Sequence, residues 1–473
     1  MSAVNILNIT LEEKLESRTR RNVLLSIPDP ATPASYTYFT SNDFLSLSNL
    51  STLHAHLLET LNCSPHIVGA GGSRLLVNTE VHDNLENRLS SFFGHEKRGA
   101  LLFNSGYDAN VGLFSAVPQP GDVIVYDEYI HASVHDGLRH GCRAEKQLVF
   151  AHNSLPALRR VLESLLYEEP TNGTISDTSA FRLKTGRCSL FLAVESLYSM
   201  EGSVAPLRSI IEILEELFPL GNAYMIVDEA HATGVYGPQG RGRVALEGLE
   251  GHPRILARLC TFGKALAAGG AVVLTTPLVA KYLTNYARPL IYTTTLPRLS
   301  VIAASCSFDM LEDGTAERQA RQVLATSRRF VGTLSRALRD KGIRTETLMI
   351  AALPDESEEA DLSAYSPIVA LVTPLPMPPN FQRASPAIPP DASPAVDLSV
   401  HLRTRHNIVA HSISFPTIPK GKERVRICLN AKHTTDDIDR LVKGVVEWAK
   451  AFEMARNTHK AETIQGFEIR SRL

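Results

Sequence analysis

From Leu101 onward the chain alternates short apolar segments with stretches whose apolar residues recur near every 3.6 positions, and this alternation narrows the fold most. Leu101 to Phe103, Asp122 to Tyr126, Leu190 to Val194, Ala223 to Val227, Leu256 to Thr261 and Ala271 to Leu274 read as strands. Leu155 to Tyr167 and Pro206 to Phe218 read as helices between them. Parallel strands need long crossovers, so repeated alternation predicts an α/β domain around a largely parallel sheet. Such sheets collect their functional groups at the carboxyl ends of the strands.

The flanks follow other patterns. Leu11 to Leu25 reads as a charged leading helix, stopped by Pro28, Pro30 and Pro33, and Tyr36 to Thr40 as a short strand. Val301 to Asp340 reads as a long helical run. Leu348 to Ala352, Ile368 to Val372, Ile408 to Phe415 and Arg424 to Leu429 then read as strands, and Thr435 to Arg456 as a final helix. The Pro-rich passage from Pro374 to Pro394 reads as an exposed excursion. The expected division is an N-terminal segment (1–50), a large domain (51–300) and a smaller C-terminal α+β domain (301–473).

Lys and Arg number 48 against 50 for Asp and Glu, so no global field recommends nucleic acid or an anionic membrane as partner. Cys63, Cys142, Cys188, Cys260, Cys306 and Cys428 are scattered without paired metal-ligand spacing, which suits a reducing compartment and leaves no metal expected at the site. No apolar run approaches the roughly 20 residues of a membrane span, and the start lacks the order of a secretory signal. A soluble, cytoplasmic protein is the base expectation. The final Ser471-Arg472-Leu473 differs by one basic-for-basic change from a peroxisomal address, which makes that compartment the sharper expectation.

Two fragments carry the chemistry. Ile226-Val227-Asp228-Glu229-Ala230-His231 runs from an apolar strand into a polar turn, placing Asp228 at a sheet mouth where it can hold a cationic heterocyclic nitrogen, with His231 beside the same ring. The Asp-Glu-Ala-His string also matches a helicase motif. That reading needs an upstream phosphate loop ending in Gly-Lys and Ser or Thr. Gly69 to Arg74 holds no lysine and Gly263-Lys264 runs into Ala265, so the motor reading is excluded. Thr261-Phe262-Gly263-Lys264 follows the next apolar run, where a lysine amine in the same pocket can form an imine with an aldehyde. Upstream, Asn104-Ser105-Gly106-Tyr107 lies between a strand and a helix and can cradle a phosphate on backbone N–H groups. His131 can stack on a flat ring. Taken singly, these two read more readily as a capped turn and a structural histidine.

In this order the motifs resemble the α-oxoamine synthases, pyridoxal-phosphate enzymes of the fold-type I aminotransferase superfamily. The resemblance runs from about Leu11 to Ala449 and includes Gly69 to Arg74, Asn104 to Tyr107, His131 to Ser133, Glu195 to Gly202, Asp228 to Gly242, Thr261 to Lys264 and Tyr292 to Thr294. It implies a fold-type I aminotransferase-like large domain with a smaller C-terminal α+β domain. Lys264 is then the residue that carries pyridoxal 5′-phosphate as a Schiff base and later removes the α-proton. Asp228 keeps the pyridine nitrogen protonated, His131 stacks on the ring, and His231 reaches the phenolic oxygen. Ser105, Gly106, Tyr107, Ser199 and Thr261 surround ring and phosphate. Thr293 and Thr294 match residues that reach the phosphate from a second subunit, which implies a homodimer with composite sites. Arg426 falls on the substrate-carboxylate arginine, Asn42 on an element near the entrance, and Arg20 or Arg21 would meet an anionic thioester. Amino acid and acyl thioester are the implied partners, with no nucleic acid and no membrane span.

Within the family, the subgroup most resembled condenses alanine with a pimeloyl thioester in biotin biosynthesis. Departures bear on the acyl group. Ser414 stands where many biotin-pathway relatives carry arginine, Leu76-Val77-Asn78 lacks the usual serine-glycine, and the glycine-rich run after the lysine becomes Ala265-Leu266-Ala267-Ala268-Gly269-Gly270, which still keeps small residues there. A related synthase using another amino acid or a longer acyl chain therefore stays open, as does a non-catalytic partner subunit, which Lys264 argues against.

Overall fold

A computed structural model describes residues 5–20, 24, 27, 35–167, 178–354, 361–379, 381–414, 418–419 and 421–470. Arg21, the core of the insertion at Pro170 to Gly186, and Ser471-Arg472-Leu473 lie outside the described residues. The strands are β1 (Thr37–Tyr38), β2 (Ala100–Phe103), β3 (Val123–Asp127), β4 (Lys146–Phe150), β5 (Leu190–Glu195), β6 (Ala223–Asp228) and β7 (Ile255–Thr261). They continue as β8 (Ala271–Thr275), β9 (Met349–Ile350), β10 (Ile368–Val372), β11 (Ile408–Val409), β12 (His411–Ile413) and β13 (Arg424–Cys428). Among the described residues no helix is long and apolar enough to cross a membrane.

The chain divides into two compact units. The larger comprises Asn42–Ser199 and Ser203–Val323 and holds a sheet of order β2-β8-β7-β6-β5-β3-β4. All neighbouring strands are parallel except at β8, which runs antiparallel to both β7 and β2. β5 is buried at every position, as a parallel strand covered on both faces must be. Period-two alternation then sorts the layers. Val125, Leu192, Val194, Met225 and Val227 meet the helices Leu155–Leu166 and Leu207–Leu217. Ile124, Phe191, Ala193, Ile226 and Leu259 meet the helix Gly106–Ala116 through Ala109, Leu113 and Phe114.

The smaller unit comprises Met1–Ser41, Met200–Gly202 and Leu324–Leu473. It contains an antiparallel sheet β12-β13-β10-β9, a parallel pair β1-β11, and the helices Pro394–His406 and Thr435–Arg470. Arg424 of β13, almost fully buried, donates from Nη1 to Glu201 Oε1 at 2.5 Å.

Several elements depart from the sequence reading. The helical run from Val301 to Asp340 is two helices, Arg298–Glu312 and Thr315–Asp340, separated at Gly314, whose φ of 80° is left-handed. The first of these lies in the larger unit. Ile408 to Phe415 is two short strands in different sheets, divided at Ala410. The leading helix spans Ile6–Arg20, and no residue in it is buried. β4 went unread because it is the sheet's edge and alternates exposed with partly buried residues rather than forming an apolar run.

Candidate active site

The period-two sorting also decides what stands at the carboxyl ends of β5, β6 and β7. Glu195, Asp228 and Thr261 each follow two residues after a side chain packed on the Gly106–Ala116 layer, so all three point toward that helix. A cavity of ≈ 140 Å³ opens there, lined by these three with Gly106, Tyr107, Asn110, His131, Ser133, Ala230, His231, Leu259 and Lys264.

Asp228 is nearly buried and each of its oxygens has a donor: Asn110 Nδ2 to Oδ2 at 2.7 Å and the Ala230 backbone N–H to Oδ1 at 2.9 Å. Asn110 Nδ2 also donates to Ser133 Oγ at 2.9 Å, and Ser133 Oγ lies 2.7 Å from His131 Nδ1. These contacts in series tie Asp228 to His131 through two neutral side chains. His131 opens into the cavity, yet the surrounding protein holds its imidazole below the ordinary histidine range. The Lys264 charge adds to that depression and Asp228 opposes it.

Lys264 sits on the connection between β7 and β8, where Phe262 N–H donates to Gly270 O and Ala268 N–H to Phe262 O. Its Nζ is 2.8 Å from His231 Nε2. The loss of glycine after the lysine has a visible consequence, since Ala267 adopts φ 50°; a non-glycine residue there costs about 1 kcal/mol. Phe44, fully buried, approaches the His231 ring with centroids 6.0 Å apart, which brings the segment after Asn42 beside His231.

Ser105 caps the helix Gly106–Ala116, accepting from Asp108 N–H at 3.0 Å. The first-turn N–H groups and the helix dipole make this end an anion cradle. A Cβ on Gly106 would reach within 3.4 Å of Thr261 Cβ, so glycine keeps open the space between the helix start and β7.

The remaining site candidates fall outside the cavity lining. Thr293 and Thr294 are tied to Asn104, whose Nδ2 donates to Thr294 O at 2.7 Å. Ser199 is buried beyond the end of β5, and Asn42 is partly buried. Arg426 lies in β13 of the smaller unit, where its Nη1 is 2.8 Å from Cys428 Sγ. Arg20 is exposed on the leading helix. The structure adds Asn110, Ser133 and Glu195, which the sequence reading did not assign. Ser133 stood inside the quoted His131 motif and Asn110 one helical turn beyond Gly106, and those spacings were the available signal.

The residues present fit a pyridoxal phosphate group. A carboxylate, an amine, an imidazole and a helix N-terminus converge on one cavity, and Asn110 Oδ1 is a buried acceptor without a hydrogen-bond partner. The nucleotide-motor reading finds no support, because Glu229 of the Asp-Glu-Ala-His string turns away from the cavity and is consumed by Arg258.

The family model for aminotransferase class I and II matches residues 35–445. The chain is 40% identical over 427 residues to an 8-amino-7-oxononanoate synthase of Emericella nidulans, covering 89% of this chain and 91% of that one. It is 34% identical over 414 residues to an aminoacyl transferase sphA of Aspergillus fumigatus, covering 87% and 80%. In fold it is similar to the serine palmitoyltransferase of S. paucimobilis, with a TM-score of 0.70 at 22% identity, over 96% of this chain and 100% of that one. The chain belongs to the α-oxoamine synthases, a pyridoxal-phosphate-dependent branch of the class I and II aminotransferase family.

Proposed function

We propose that this chain condenses L-alanine with a pimeloyl thioester, releasing carbon dioxide, to give 8-amino-7-oxononanoate for biotin biosynthesis. The observation that carries the reading is the convergence of Lys264, Asp228, His131 and His231 on one cavity in a chain 40% identical to a synthase of that name. Pyridoxal phosphate, when bound, supplies an aldehyde carbon and a cationic ring that draws electrons from the amino acid.

Lys264 would hold that aldehyde and then, with its amine released, take the α-proton of alanine. His231, 2.8 Å from the amine, positions it. Asp228 would hold a proton on the ring nitrogen, His131 would lie against the ring face, and the Ser105 to Tyr107 turn with Thr261 and Ser199 would receive the phosphate side. Phe44 and the segment from Asn42 would exclude water beside His231. Arg426 is proposed for the substrate carboxylate, through paired guanidinium hydrogen bonds, and Arg20 or Arg21 for the thioester's anionic carrier. Thr293 and Thr294 would serve the partner's site in a homodimer.

The test is incubation of purified protein with pyridoxal phosphate and a panel of amino acids and acyl thioesters, read by product mass. A product requiring both alanine and the pimeloyl thioester supports the proposal. Preference for another amino acid or a longer acyl chain overturns it in favour of a second reading, which the 34% identity to the aminoacyl transferase sphA recommends. Light scattering that reports a monomer would count against the shared sites. Peroxisomal delivery through Ser471-Arg472-Leu473 belongs to the same proposal, and a fluorescent fusion whose distribution ignores removal of that tripeptide would refute it.

A further inference from the structure

In the smaller unit the helix Pro394–His406 packs on the helix Thr435–Arg470 at Gly444. A Cβ at Gly444 would stand 2.8 Å from Leu402 Cδ2 and 2.9 Å from His406 Cδ2, so the glycine is what lets the two helices come this close. The consequence is that His406 is pressed toward Glu447, one turn further along the second helix, with 3.0 Å between His406 Nε2 and Glu447 Oε2. His401, on the same helix as His406, presents an Nε2 that is sealed from solvent and has no hydrogen-bond partner. One ligand atom from each of His401, His406 and Glu447 lies within 4.8 Å of the other two.

We infer that His401, His406 and Glu447 form a binding site for a divalent first-row transition metal ion such as zinc, outside the catalytic cavity. Two imidazoles and one carboxylate are a donor set such ions accept, leaving a fourth position to water. Bonds of about 2.0–2.2 Å in a tetrahedral site put ligand atoms roughly 3.3 Å apart. The ligand atoms now lie within 4.8 Å of one another, so binding would draw the wider pairs inward. The exposed side of Glu447, 48% accessible, gives the ion its path of entry. Lys443 Nζ, 3.9 Å from the other Glu447 oxygen, is itself 70% exposed and free to swing into water.

A buried imidazole nitrogen left without a partner is unfavourable, and a bound ion removes that cost. The second convergent group, His56 with Cys306 and Asp309, differs in this respect. Both Asp309 oxygens are already taken, one by His56 Nε2 and one by Arg88 Nη2, each at 2.7 Å, and the guanidinium competes with any cation.

The ion would join the two helices, so its effect is mechanical rather than chemical, and it stands apart from the reaction proposed above. Trp448, the chain's single tryptophan, is adjacent to Glu447 and reports occupancy. The experiment titrates the full chain, loaded with pyridoxal phosphate, with zinc by calorimetry and with cobalt(II) by tryptophan quenching. The expected result is one saturable ion per chain, a raised melting temperature, and quenching that saturates with it. Glu447→Gln and His401→Gln should each weaken binding at least about tenfold, while His56→Gln leaves it unchanged. Circular dichroism establishes that each variant folds, and Glu447, being exposed, is the safer of the two. Absence of saturable binding in the native chain overturns the inference, as does binding that survives Glu447→Gln or is abolished by His56→Gln.

Discussion

Asp228 and Glu229 are neighbours in the chain and nearly equal in burial, yet they inhabit different chemistry. Asp228 turns to the cavity, where its two N–H donors are neutral groups. Glu229 turns to the opposite side, where Arg258 donates from Nε at 2.8 Å and Nη2 at 2.6 Å and the Val244 N–H donates at 3.0 Å. The pair on that side is 0% and 1% exposed. A carboxylate countered by a buried guanidinium is committed to the fold. One held only by neutral donors keeps its charge available to a cationic ligand. The cavity side should therefore govern turnover and the Arg258 side stability, and substitutions on each should separate the two.

Lys264→Ala is expected to separate them furthest. Turnover should fall by at least about a thousandfold, because the covalent and proton-transfer roles proposed for Lys264 would vanish together. The melting temperature of the cofactor-free chain should stay within a degree or so, since Lys264 is only partly buried. Steady-state kinetics and a thermal melt on one preparation decide it, and retained turnover would break the comparison.

On the other side, Glu229→Gln leaves the Arg258 guanidinium without its main counter-charge. Glu250, 3.6 Å from Arg258 Nη1, offers partial relief. The expected loss is about 3 kcal/mol of unfolding free energy, read from the shift of a urea midpoint. A variant as stable as the parent would show that the pair is not a structural commitment.

The same contrast marks what was legible in the sequence. Lys264, Asp228, His231 and His131 could be read because each follows an apolar strand within a short motif. Asn110, Ser133 and Glu195 could not, because they meet Asp228 only through the register of β5 on β6 and the packing of the Gly106–Ala116 helix. In the fold, strands buried on both faces announced themselves as apolar runs, whereas β4, at an edge, did not. The helix Pro394–His406 was missed because a proline at its first turn, where it is tolerated, ended a passage read as irregular. The split at Ala410 was invisible because strand propensity says nothing about which sheet a strand joins.

A third, smaller effect tests the Arg258 side by acid. Burial, aided by the Arg258 charge, pushes the His95 imidazole down to about 4. Between the unfolded value of 6.5 and that folded value, the unfolded chain binds a proton that the folded chain lacks, so stability falls as pH falls. Between pH 6.5 and 5 this amounts to about 2 kcal/mol, and above pH 6.5 the contribution is fully present. Urea midpoints at pH 7 and 5 should converge more in His95→Gln than in the parent, with parallel pH dependence counting against the assignment.

The smallest effect belongs to the cavity side and is the sharpest test of it. Asn110 Nδ2 serves both Asp228 and Ser133, and the amide cannot be turned over without setting Oδ1 against the Asp228 carboxylate. Asn110→Ala deletes one charge-assisted hydrogen bond, worth about 1.5–3 kcal/mol where the charge must be held. Only the part of that energy felt during the reaction reaches the rate, so kcat should fall about tenfold. The KM for the thioester should hold, because Asn110 faces the carboxylate that would hold the ring nitrogen. A fall in stability of about 1 kcal/mol with unchanged kcat would instead place Asn110 with Glu229, among residues committed to the fold.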